Sequence, residues 1–104
     1  MIAVKRSYPK VLARSAAGAI QATGREGETL LMLVKNGERG VRAYDFAGGP
    51  PFRLGAYVHD LRRMGLVIRT EREPHSGGLH GVYVLETPVT IVSVVRDGGV
   101  RDAA

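Results

Sequence analysis

Gly48-Gly49-Pro50-Pro51 sits between two apolar-patterned stretches and sets what the chain around it can become. No helix continues through that run, because two prolines remove backbone donors and two glycines favour turn geometry. On its C-terminal side, Phe52 to Met64 carries Leu54, Tyr57, Val58 and Leu61 at helical spacing. The spacing predicts a helix with one apolar stripe. Arg63, Ala56, His59 and Asp60 oppose the stripe, Arg53 and Arg62 flank it, and Gly65 supplies the stop. On its N-terminal side, Val41 to Ala47 reads as a shorter helix with Val41, Tyr44 and Phe46 inward and Arg42 outward.

The neighbouring segments extend this order in both directions. Glu28-Thr29 opens a helix with Leu30, Leu31, Leu33 and Val34 apolar, acids at its start and Lys35 at its end. That arrangement suits the helix dipole, and Asn36-Gly37 ends it. After Gly65, Leu66 to Arg72 reads as an outgoing strand and Pro74 to Gly81 as a turn-rich tip. Val82 to Leu85 reads as the returning strand, and Val89 to Val95 as a third, β-branched one. Helix, helix, Gly/Pro turn, helix and hairpin is the order of a winged helix-turn-helix. The expected fold is therefore α+β, with three helices and a two- or three-stranded antiparallel wing sheet. It would occupy residues 28–95, between a basic arm over 1–27 and a polar tail over 96–104.

Charge sharpens the division. The chain carries 15 Lys and Arg against 10 Asp and Glu, a net +5. Residues 1–25 hold Lys5, Arg6, Lys10, Arg14 and Arg25 and no acid, so all of the excess lies in these first 25 residues and the remaining 79 sum to zero. A basic balance favours a polyanionic partner. In the neutral body a basic face has to come from segregation. The arm's Val11–Ala22 is alanine-rich and fits a helix, a strand or a solvated tail, with phosphate contact as its functional use.

The third helix carries the side chains that a recognition helix uses. A small residue, Ala56, permits close approach to a groove, and Arg53, His59 and Arg63 reach base edges. Arg62, together with Arg42 and the strand residues Arg69 and Arg72, is placed to contact phosphates. Asp60 opposes this unless it pairs with Arg63 or accepts from a cytosine amine. Other chemistry is poorly supported. Cysteine is absent, so thiolate catalysis and cysteine–zinc sites are excluded. His75 and His80 with Glu73 form a weak metal set. Ser76 beside His75 lacks a nucleophile elbow and an orienting acid. The Gly-rich runs lack the Lys-Ser/Thr of a phosphate loop. The expectation is a non-enzyme with no cofactor and no metal.

Arg53, Leu54, Ala56, Val58, His59, Asp60, Leu61, Arg62 and Gly65 spell the phrase R-L-x-A-x-[IV]-H-D-L-R-x-x-G, followed by an apolar strand. In this the chain resembles the small helix-turn-helix, winged-helix proteins of bacteriophages and proteobacterial prophages. The resemblance runs over about residues 28–86, and Pro50-Pro51 departs from it by replacing a polar helix cap. It implies double-stranded DNA binding by a small transcriptional regulator or phage accessory protein. The alternative is a winged-helix interaction module that pairs with itself or another protein, for which Val89–Val95 offers a strand edge. RNA binding is disfavoured, since Tyr57 points to the core and leaves no stacking platform. No apolar run reaches membrane-span length, and the expected location is cytoplasmic.

Overall fold

The computed structural model describes residues 9–46, 53–75 and 78–96. The chain opens with a hairpin, β1 (Pro9–Ser15) and β2 (Gly18–Thr23), and continues into α1 (Gly24–Asn36). After α2 (Leu54–Arg63) come the paired strands β3 (Ile68–His75) and β4 (Gly78–Leu85), then β5 (Val89–Arg96). All pairing is antiparallel, in a three-stranded sheet ordered β2-β1-β5 and a two-stranded β3-β4 ribbon.

Residues 9–23, expected as part of an arm outside the domain, are thus built into a sheet. The cause is visible as alternation. Val11 and Ala13 on β1, with Ile20 and Ala22 on β2, are buried, while Lys10, Leu12, Arg14, Gln21 and Thr23 face outward. Period-two alternation over short segments suits a half-buried strand. The inward residues share one core with Leu30 and Leu33 of α1, Val41, Phe46, Leu54, Val58 and Leu61 of α2, and Leu66 and Ile68.

Helix α1 begins at Gly24, four residues ahead of the expected start at Glu28. Gly27 does not break it. A Cβ built there would lie 2.6 Å from the Pro9 carbonyl oxygen and 2.9 Å from that of Ala22. Glycine lets the first turn of α1 lie directly on the hairpin backbone. Within the same turns, Thr29 is buried and donates its hydroxyl to the Arg25 carbonyl at 2.7 Å, and Arg25 pairs with Glu28 at 2.7 Å. The Gly37 N–H donates to Leu33 O and closes the helix.

The expected second helix is absent: among the described residues the fold has two α-helices, not three. Val41 instead exchanges both backbone hydrogen bonds with Tyr83 of β4, at 2.8 and 3.0 Å. Its backbone is committed to a strand pairing and is unavailable to a helix. Among the described residues that follow it before α2 there is one short 3₁₀ turn, Ala43–Asp45, with Asp45 accepting from the Arg42 N–H at 2.9 Å. Val41 and Phe46 are buried as expected, but Tyr44, expected inward, is 62% exposed. The Gly48–Pro51 turn lies outside the described residues.

Strand β5, expected beside the wing, joins β1 instead. Pro88 has no N–H with which to continue a β4 ladder. The crossing is pinned where the Glu86 N–H donates to Val67 O (2.8 Å) and the Val67 N–H donates to Thr87 Oγ1 (2.7 Å). The wing is therefore β3 and β4, with Val41 contributing a single-residue rung on the outer edge of β4.

Candidate nucleic-acid interface

Helix α2 seats on the core through Leu54, Val58 and Leu61, all buried, and leaves Arg53, His59, Arg62 and Arg63 exposed with Ala56 half-buried. The wing adjoins it through one residue. The Arg62 guanidinium donates from Nε (3.1 Å) and Nη2 (2.5 Å) to the Ile68 carbonyl, and from Nη2 to Thr70 Oγ1 (2.7 Å). Arg62, expected on a phosphate, thus buckles the last turn of α2 to the first residues of β3.

Strand alternation then separates the wing into two faces. Ile68, Thr70 and Arg72 lie on the side held by Arg62, together with Tyr83 and Leu85 across the ladder. Arg69, Glu71 and Glu73 lie on the other, with Val84 and Val82 across the ladder from Arg69 and Glu71. That second face is covered by the Gly37–Arg42 segment. Gly40 approaches so closely that a Cβ there would stand 2.5 Å from Val82 Cγ1, and its φ of +77° also favours glycine.

Two arginines expected to contact phosphates are held by carboxylates on this covered face. Arg42 donates Nε to Glu73 at 2.6 Å, donates Nη1 to Arg39 O at 3.2 Å and lies 3.9 Å from Asp45. Arg69 bonds Glu86, lies 2.8 Å from Glu71 and 3.8 Å from Glu38. The hydrogen bond from Arg42 to Glu73 raises the pKa of Arg42, and those to Glu86 and then Glu71 raise that of Arg69. By contrast, Arg53, His59, Arg63 and Arg72 make no ion pair with the described residues. They lie along α2 and the wing face that adjoins it.

An open groove of about 310 Å³ lies at the edge of this surface, lined by Glu26 of α1 with Asp60, Arg63 and Met64. Glu26 and Asp60 meet there across the helix pair. A hydrogen bond to Asp60, partial burial and the like charge of Asp60 all raise the pKa of Glu26.

A family model described as a winged helix domain matches residues 19–95. The chain belongs to the winged helix family. No curated protein and no solved structure matches it. Winged helix domains are in general DNA-binding modules and typically not enzymes. The match starts inside β2, so β1 lies outside it while nearly all of β5 lies within it. No described helix is long and apolar enough to cross a membrane. Among the described residues, no three His, Asp or Glu side chains gather as a metal-binding group.

Two further features of the structure were not fixed by the sequence. The outward row Lys10, Leu12 and Arg14 is signalled by the alternation of K-V-L-A-R, which reads equally as part of a tail. The Glu26–Asp60 contact joins residues 34 positions apart on different helices, and nothing in either segment announces it.

Proposed function

We propose that this winged helix protein binds double-stranded DNA without catalysis, as a small transcriptional regulator or accessory factor of the phage and prophage kind. Helix α2 enters the major groove, with Ala56 allowing close approach and Arg53, His59 and Arg63 reaching base edges. Arg72, on the wing face next to the helix, takes a phosphate. Arg42, Arg62 and Arg69 serve the scaffold that holds the helix and wing together.

The observation that carries this reading is the segregation of charge. Arg53, Arg63 and Arg72, without an ion pair among the described residues, lie along α2 and one wing face. The paired Arg42 and Arg69 share the opposite face with Glu38, Glu71, Glu73 and Glu86. A duplex approaching α2 meets donors on the near face, and most of the wing's acids lie behind. The test compares alanine variants in a duplex-binding titration. Arg53→Ala, Arg63→Ala and Arg72→Ala should each weaken binding, and Arg69→Ala should leave it within about twofold. Equal loss from all four variants would refute the assignment of faces.

A further inference from the structure

We propose that β5 is the seam of a homodimer, in which the free edges of two copies pair antiparallel across a two-fold axis. Strand β5 is hydrogen-bonded to β1 along one edge, and no described strand occupies the other. Between Glu86 and Arg96 the chain has no charged residue, and from Val89 to Val95 every residue except Thr90 and Ser93 is Val or Ile.

Elsewhere this chain guards its edges. Strand β3 carries Arg69, Glu71, Arg72, Glu73 and Pro74, the charges and proline that block unwanted pairing. Strand β2, the opposite edge of the three-stranded sheet, exposes only Gly18, Ala19, Gln21 and Thr23. At β5, Val92, Val94 and Val95 are 55%, 41% and 57% exposed, beside Leu12 of β1 at 39%. The register shifts between Leu12 and Ala13, which pair with Ser93 and Ile91, so Val92 is left without a partner on β1. A long, uncharged, β-branched edge rimmed by apolar side chains is a template for another strand.

The ends of the strand favour a second copy as that partner. Glu86 precedes β5 and Arg96 ends it. Antiparallel self-pairing, which a two-fold axis requires, brings Arg96 of each copy toward Glu86 of the other. Parallel pairing would set arginine against arginine. Glu86 accepts from Arg69 through Oε2, and Oε1 makes no hydrogen bond with the described residues. With Val92 on the axis, Val92 faces its own copy, Ile91 faces Ser93, Thr90 faces Val94 and Val89 faces Val95, and such cross-strand neighbours are favourable. The two three-stranded sheets would become one continuous sheet. This pairing does not depend on DNA being the ligand of α2.

The test is sedimentation of the full chain with cross-linking. Wild type should sediment at twice the monomer mass of 11.2 kDa and dissociate on dilution. Val92→Lys should sediment as a monomer with an unchanged circular dichroism spectrum. Because the chain has no cysteine, Val92→Cys can form a disulfide only between copies, and should do so under mild oxidation. Gln21→Cys on the far edge should not. A wild type that stays monomeric at every concentration overturns the proposal, including where its own termini or another protein's strand take the edge. A dimer that survives Val92→Lys, or a Gln21→Cys that cross-links as readily as Val92→Cys, overturns it as well.

Discussion

Replacing Arg62 by alanine removes the fork that ties α2 to the wing, and the consequence differs sharply from that of losing a phosphate contact. In the folded protein two of its N–H groups converge on the Ile68 carbonyl at 3.1 and 2.5 Å, and one also reaches Thr70 Oγ1 at 2.7 Å. Ile68 is only 4% exposed, so its carbonyl sits at the margin of the core. Hydrogen bonds from a charged donor contribute about 1.5–3 kcal/mol each. The two contacts on Ile68 share one acceptor and count roughly once, and the bond to exposed Thr70 adds little. Arg62→Ala should therefore destabilise the fold by about 2 kcal/mol. For a domain of this size that lowers the melting temperature by about 8–16 °C. Thermal unfolding by circular dichroism reads the loss of stability. A DNA titration below the melting transition reads the phosphate contacts: the salt dependence should keep its wild-type slope, because no phosphate partner is lost. An unchanged melting temperature, with a salt slope reduced by about one, would refute this reasoning and return Arg62 to the phosphate-contacting set.

The same geometry sets three further outcomes. Gly27→Ala should destabilise by about 1–3 kcal/mol, because the new methyl meets backbone oxygens at 2.6 and 2.9 Å; a raised denaturant midpoint, as expected for alanine in an open helix, would contradict this. Glu26 holds its proton more tightly folded than unfolded, so its contribution to stability is full below its unfolded pKa and is lost as pH rises through the raised folded one. Asp60→Asn should lower the titration midpoint of the Glu26 carboxyl, followed by NMR, and flatten that pH dependence; an unmoved midpoint would exclude Asp60 as the cause. Arg63→Ala should cost roughly 1–3 kcal/mol against a specific site if it reads a guanine, measured by competition between specific and random duplexes, and an equal loss on both would make Arg63 a phosphate contact.

The helix at Leu54–Arg63 was legible because its burial is written in local periodicity: Leu54, Val58 and Leu61 lie one or two turns apart and all face the core. The wing was legible for a similar reason, a polar strand and an apolar one around a Gly-rich tip. What failed was decided at long range. Val41 looks equally suited to a helix or a strand, and its pairing with Tyr83, 42 residues later, settles the choice. Val89–Val95 announces a strand but not which neighbour it takes. Pro88 and the Val67–Thr87 contacts turn it toward β1. Within the candidate site, the types and rough placement of Arg53, His59 and Arg63 came from the sequence. The difference between Arg72 and Arg69 did not, since both read as strand arginines. Their surroundings diverge because adjacent carboxylates occupy one face of the ribbon and not the other.

The most direct test is fluorescence anisotropy of the full chain against a labelled random duplex, repeated across salt concentrations. Binding should weaken steeply as salt rises, with a log–log slope that corresponds to several displaced counterions. The Arg53→Ala/Arg63→Ala/Arg72→Ala triple variant should bind with a visibly shallower slope. Absence of binding at low salt, or a triple variant that binds as wild type does, would contradict the assignment of α2 and the adjoining wing face to DNA.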